Sequence, residues 1–394
     1  MRQGHVRPVW AGHPWVFAQA VEHVDDGAEP GGEVLVVDPR GQPLGRALYA
    51  PRSAVVARLY TRRVDEPIDQ ALFQRKLERA VGLRRALGLP GVEPGQETTG
   101  YRLVHGEGDG VPGLIVDVFG DVVCVQLGTL GLFRRAAAVC DALEAVVGPR
   151  SIVDRTPPGL ARTEGFDPTG GVLRGEPVTE LVFRELGLDF ALPLELAQKT
   201  GYYFDQRPLR AALARVSRGS RVLDAFCYTG SMAITARRAG AREVWACDKS
   251  AAAIEVARRQ AERNGGADGI RFTVEDANLA FAAAAREGGC DVVVCDPPKL
   301  APARGNRPRA LGAYRSLAEG ACRATARGGL LAFCSCSGAV GMHELERELA
   351  LGARQAECEA FVVERLFQGP DHPVPAAFPE GLYLKVLFAR IDAA

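Results

Sequence analysis

The sequence predicts an α/β protein. Its C-terminal part, residues 191–394, reads as a Rossmann-like open sheet, preceded by a small β-barrel over residues 1–67 and a central α+β domain over residues 68–190. Three observations predict this. Strand and helix patterns alternate from Arg221 onward, short strands broken by turn residues fill the beginning of the chain, and 394 residues are too many for one hydrophobic core.

The elements follow in order. Glu33–Asp38 and Ser53–Tyr60 read as short strands, with the turn Pro39-Arg-Gly-Gln-Pro43 between them. Arg62–Pro67 reads as a linker. Ile68–Leu87 predicts a helix with Leu72, Phe73, Leu77, Ala80 and Leu87 on its apolar face. The central block predicts strands at Leu114–Asp117, Val122–Gln126 and Ser151–Arg155, a helix over Phe133–Val147, and a loop or hairpin over the Pro/Gly-rich stretch Pro157–Pro177. Beyond it come a strand at Arg221–Phe226, a helix at Met232–Ala239, a strand at Glu243–Asp248 and a helix at Ala251–Asn264. Ile270–Glu275, Asp291–Asp296 and Leu330–Ser335 predict three more strands. Such alternation makes a parallel sheet covered by helices, with ligands at the carboxyl ends of its strands.

A hydrophobic fraction of 47% with 24% charged residues is that of a globular chain. The longest apolar runs, Gly328–Phe333 and Asp291–Cys295, are too short to span a bilayer, and Met1–Pro8 lacks the apolar core of a signal peptide. A cytoplasmic protein is expected. The ten cysteines sit among apolar neighbours without framework spacing, which points to reduced thiols. The closest pair, Cys334-x-Cys336, is too few ligands for structural zinc, so no metal is expected. Zero formal net charge argues against nucleic-acid binding by bulk charge alone. Between Lys299 and Arg327, however, seven basic residues (Lys299, Arg304, Arg307, Arg309, Arg315, Arg323, Arg327) face one acid, Glu319. That stretch is either an RNA-facing patch or a solvated helix face.

Acids close three successive strands. Asp224 opens the loop to Thr229-Gly230, Asp248 ends the next strand in a position suited to ribose hydroxyls, and Glu275-Asp276-Ala277 can hold an adenine amino group. Asp224 can accept hydrogen bonds from an ammonium group. Each acid alone is equally a helix cap. G-x-G-x-x-G is absent here, so a nucleoside without phosphates fits better than a dinucleotide. Asp296-Pro-Pro-Lys299 ends the fourth strand as a stiff edge for a planar base, and Cys336 follows the fifth. A cysteine thiolate there can add to C6 of a pyrimidine and make C5 nucleophilic, with a carboxyl such as Asp296 near N3; alternatively Cys334 and Cys336 are packing residues. Gln198–Arg207 suits a clamp over a zwitterion, Arg207 pairing with its carboxylate, or a capped helix start.

At these residues the chain resembles the class I 23S ribosomal RNA large-subunit methyltransferases that form 5-methylcytosine, whose Rossmann-like methyltransferase domain follows a PUA domain and a small central domain. His13-Pro-Trp-Val-Phe17 and Gly45-x-x-x-Tyr49 resemble the PUA part, and Tyr101–Glu107 with Asp109–Asp117 the central domain. The most specific matches are Gln198-Lys-Thr-Gly201 with Asp205-Gln-Arg207, Leu223–Gly230, Asp296-Pro-Pro-Lys299 and Ser335-Cys-Ser337. His372-Pro, Pro379-Glu and Tyr383-Leu-Lys385 extend the match toward the C-terminus. The resemblance implies S-adenosylmethionine as cofactor, with contacts at Gln206, Arg207, Asp224, Phe226, Tyr228, Thr229, Gly230, Asp248, Lys249, Ser250, Asp276, Ala277 and Asp296. It implies Cys336 as nucleophile with Asp296 beside it, 23S rRNA as partner, and a homodimer. Ala197, Leu300 and Pro208 depart from the usual glycine, aromatic and polar residues, and Lys299 stands where other 5-methylcytosine enzymes carry a second cysteine. Two other readings keep to RNA: N-methylation of guanine or adenine by the Asp-Pro-Pro loop alone, and a non-catalytic assembly factor. A nicotinamide dehydrogenase lacks its phosphate glycines.

Overall fold

The computed structural model describes residues 1–196, 201–301 and 304–394. They form two compact units: Met1–Phe204 with Pro370–Gly381, and Asp205–Gly369 with Leu382–Ala394.

The first unit begins with a four-stranded antiparallel sheet. Trp15–Phe17 lies beside Val55–Thr61, then Pro43–Tyr49, then Glu33–Val37. The helix Gln70–Ala86 starts where the Asp69 carboxylate accepts the Leu72 N–H at 3.0 Å. It buries Leu72, Phe73, Leu77 and Ala80, whereas Leu87 caps the helix and is 39% exposed. A five-stranded sheet follows, built from Gly100–His105, Leu114–Phe119, Val122–Leu127, Ser151–Asp154 and Gly171–Gly175 in that order. The stretch expected as loop or hairpin instead holds the helix Pro158–Glu164 and the last of these strands. Pro158 stands at the first helical position, where its missing N–H costs nothing.

The main stretch of this unit runs to Phe204. Phe119, Phe183, Phe190, Tyr202 and Phe204 pack as one aromatic cluster, with Phe183 and Tyr202 centroids 4.9 Å apart. Gly100 makes room for it, since a Cβ there would lie 2.3 Å from the Phe183 ring. Residues 370–381 belong here because buried Arg84 donates to the Asp371 carbonyl at 2.8 Å while pairing with Asp109.

The second unit is one seven-stranded sheet, whose elements are numbered here in chain order. Helix α1 is Arg207–Val216, then come β1 (Arg221–Ala225), α2 (Ser231–Arg238), β2 (Glu243–Asp248), α3 (Ala251–Arg263), β3 (Ile270–Val274), α4 (Ala277–Arg286) and β4 (Cys290–Cys295). Helix α5 (Arg307–Ala324), β5 (Thr325–Ser335), α6 (Met342–Gln355), β6 (Cys358–Phe367) and β7 (Lys385–Ala393) complete it. The sheet order is β3-β2-β1-β4-β5-β7-β6, and β7 runs antiparallel to both neighbours. The first five strands match the sequence expectation to within a few residues; β6 and β7 were not anticipated. Central strands such as Val292-Val-Val294 are buried on both faces, which explains their unbroken apolar runs. Leu223, Trp245, Phe281, Val293, Tyr314, Phe333, Leu345 and Leu387 share one core with the helices of one face. Chain order reverses between β1 and β4, and the crevice at the carboxyl ends of these strands is where such sheets take ligands. Among the described residues no helix is long and apolar enough to cross a membrane.

Candidate active site

Strand β1 delivers Asp224 into the crevice almost fully buried, at 2% exposure. One of its oxygens accepts the Ala233 N–H of α2 at 3.0 Å. The loop that follows is held in an uncommon shape. Phe226 and Tyr228 have φ of 67° and 50°, a region that non-glycine residues occupy at a cost of about 1–3 kcal/mol each. The Cys227 N–H donates to the Cys247 carbonyl and the Tyr228 N–H to Asp248, which pins the loop to the end of β2. Gly230 has φ of 81°, and a Cβ there would lie 2.9 Å from that of Ala257. Its lack of a side chain therefore serves the contact of α2 with α3 as much as any approach to a ligand.

Asp248 holds both this loop and the next turn, taking the Ser250 N–H at 2.9 Å while Ser250 caps α3 through Ala253. Asp276 is a helix cap, as the alternative reading held: it accepts the Asn278 N–H at 2.8 Å. It also pairs with Lys249 at 2.6 Å, which lowers the Asp276 carboxyl and raises exposed Lys249. Ala277 is buried beside it. Gln206 and Arg207 lie at the start of α1, and the Gln206 amide donates to Asp296 at 2.8 Å, joining the chain before β1 to the end of β4. The Gln198-Lys-Thr200 part of the clamp lies outside the described residues.

Strand β5 ends at Ser335, so Cys336 is the first residue beyond it. Cys295 pairs with Phe333 across β4 and β5, which sets Asp296 beside Cys334 with Cys336 two residues further on. Cys336 is half-buried, and the other nine cysteines are buried. Cys334 is fully inside, and burial raises its thiol well above the ordinary range. The loop rests on a hydroxyl network that the sequence reading missed. Ser335 donates to the Tyr314 hydroxyl at 2.9 Å, Tyr314 and Ser337 are 3.1 Å apart, and Ser337 takes the Ala301 N–H at 3.2 Å.

The basic stretch is largely paired. Arg307, Arg315 and Arg323 bind Glu344, Glu348 and Glu319, and Arg327 binds the carbonyls of Glu357 and Asp392. These arginines lace α5 to α6 and cap strand ends, which favours the structural reading of that stretch.

Three carboxylates meet in the crevice. Burial raises the Asp224 carboxyl to about 8, with the charges of Asp296 and Asp248 adding to the effect and the Ala233 N–H opposing it. The buried Thr229 hydroxyl and the buried Gln206 amide oxygen have no hydrogen-bond partner among the described residues. A buried polar group without a partner is costly, so the site is complementary to a cationic ligand that donates hydrogen bonds.

Comparison with known proteins agrees with this chemistry. Residues 1–62 match the PUA-like domain family and residues 142–388 the S-adenosylmethionine-dependent methyltransferase family. Over 394 residues the chain is 34% identical to the ribosomal RNA large subunit methyltransferase I of Erwinia tasmaniensis, covering 99% of this chain and 98% of the relative. The protein belongs to this methyltransferase family. The Shigella dysenteriae ribosomal RNA large subunit methyltransferase I is similar to the same degree, 34% identical with the same shares covered. Two solved structures share the fold of this methyltransferase: one described as a methyltransferase complexed with SAH (TM-score 0.84, 17% identity, 98% of this chain and 97% of that one), and one described as a SAM-dependent methyltransferase from Streptococcus mutans (TM-score 0.82, 17% identity, 99% and 98%). The cofactor is S-adenosylmethionine. Its ammonium, sulfonium and ribose hydroxyls are the kind of groups that suit the converging carboxylates and the Gln206 and Thr229 oxygens, which have no partner among the described residues.

Proposed function

We propose that this methyltransferase forms 5-methylcytosine in 23S ribosomal RNA through a transient bond between Cys336 and C6 of the base. The observation that carries the reading is the position of Cys336, the half-buried cysteine that follows β5 next to the strand that Asp296 follows. The names of the relatives and the PUA-like domain support ribosomal RNA as the substrate class.

In this reading Asp224, Thr229, Gly230 and the strained Phe226 and Tyr228 backbone form the floor of the cofactor site. Asp248 takes the ribose hydroxyls, and Asp276, Lys249, Ser250 and Ala277 form the rim beside the base of the cofactor. Gln206 and Arg207 close it from α1. S-adenosylmethionine, when bound, supplies the methyl group. The Cys336 thiolate forms a bond to C6 as the C5–C6 double bond opens, and the electron pair makes C5 the nucleophile that accepts the methyl. Asp296, its carboxylate held by the Gln206 amide, faces the N3 side of the ring and stabilises the adduct. The C5 proton then leaves to a base, the double bond re-forms and the S–C6 bond breaks, returning the thiolate. The ten unbridged cysteines suit a reducing, cytoplasmic setting. A homodimer is part of the same proposal, to be checked by light scattering.

Cys336→Ala tests the mechanism. Methyl transfer to ribosomal RNA, followed by nucleoside analysis, should be abolished while S-adenosylmethionine binding stays near wild type. Undiminished turnover would sink the covalent route and leave nitrogen methylation through the Asp-Pro-Pro loop.

A further inference from the structure

Lys385 begins β7 directly opposite Ser335, the last residue of β5. It is 4% exposed, an unusual place for a lysine. Its ammonium donates to the Ser337 carbonyl at 2.8 Å and to the Val340 carbonyl at 2.6 Å, two points on the loop that carries Cys336. An ammonium has three N–H groups, so one remains. Among the described residues no carboxylate forms an ion pair with it, and a buried cation needs a counter-charge.

We propose that Lys385 is a positioning residue for Cys336: it anchors the loop after β5 through two carbonyls, and its charge holds the Cys336 sulfur as the thiolate. The proposal rests on Cys336 being the nucleophile. The charged groups around Lys385 are few. Burial lowers its ammonium to about 8; the Cys336 thiolate acts most strongly in the opposite sense, ahead of Glu344, while Lys299 adds to the lowering. Glu344 is committed elsewhere, to Arg307 and the Gly341 N–H. The Tyr314 hydroxyl packs against the same loop through Ser335 and Ser337, and it is raised by burial and by the charges of Cys336 and Asp296, so it does not supply a competing anion at neutral pH. The Cys336 thiolate is therefore a counter-charge beside the lysine, and the lysine is a cation that favours the thiolate.

The test is the pH dependence of iodoacetamide alkylation at Cys336 in the full-length protein, resolved by peptide mass spectrometry. Burial of the other nine cysteines makes the modification selective. Lys385→Met and Lys385→Gln are compared with wild type, each first checked for S-adenosylmethionine binding. The Gln variant keeps a hydrogen-bond donor for the loop without the charge. Both variants should titrate higher by about one pH unit, so that alkylation below the midpoint is roughly tenfold slower. A wild-type profile in Lys385→Gln overturns the electrostatic role, and if Lys385→Met fails to fold the Gln variant alone decides. The assay needs no RNA. If Cys336→Ala still methylates, the functional reading fails while the influence of Lys385 on the thiol can still be measured.

Discussion

If Asp224 meets the cofactor ammonium as proposed, binding of S-adenosylmethionine should expel a proton from it. In the ligand-free protein the carboxyl is raised to about 8 by burial and by its neighbours Asp296 and Asp248. At pH 7 such a group is roughly nine-tenths protonated. An ammonium brought to it favours the ionised form, so about 0.9 proton should leave per cofactor bound at pH 7. The observed affinity should rise about tenfold between pH 6 and pH 7, a range in which the cofactor's own amine stays protonated. Calorimetry at pH 7 in buffers of different ionisation enthalpy measures the released proton as the slope of binding enthalpy against buffer enthalpy. Asp224→Asn keeps the acceptor for the Ala233 N–H but has no proton to give, so its slope should fall to near zero.

The same shift has a consequence for folding. An unfolded aspartate gives up its proton near pH 4, whereas the folded one keeps it to about 8. The folded state therefore binds more protons in that window, and the ligand-free protein loses stability as pH rises from about 4 to about 8, with no further loss above. A buffer-independent enthalpy in the wild type, or an unchanged slope in Asp224→Asn, would refute the reasoning.

Three further substitutions separate packing from chemistry. Gly230→Ala forces a side chain into a left-handed position and to within 2.9 Å of Ala257, so thermal unfolding should show a loss of about 2–3 kcal/mol with weaker cofactor binding. Tyr314→Phe strips the hydroxyl shared by Ser335 and Ser337, and the buried partners left behind should cost about 1–3 kcal/mol in denaturant melts. Cys334→Ala removes a core thiol and should cost about 1 kcal/mol while methyl transfer persists, the opposite of the Cys336→Ala result.

These substitutions also mark which parts of the site were legible in the sequence. Asp224, Asp248 and Asp276 stood out as candidates because each lies at or just past the end of a strand pattern, a local signal that survives without coordinates. Their double duty as caps and loop holders could not, since the Tyr228–Asp248 and Lys249–Asp276 contacts join separate strand ends. Cys336 stood out by its chemistry, but its distinction from Cys334 depends on where β5 stops, and strand ends are set by pairing with β7 rather than by propensity. Tyr314 and Lys385 were invisible as site residues for the same reason. One reads as an aromatic on a helix, the other as the end of a matched C-terminal motif with no role attached to it, and antiparallel pairing from fifty residues away brings Lys385 beside Ser335. The loop proposed to bear the nucleophile is held by more than the strand that delivers it. Here a supporting hydroxyl comes from α5 and a supporting cation from β7, so the two strands that the alternation pattern did not predict include the one that holds the Cys336 loop in place.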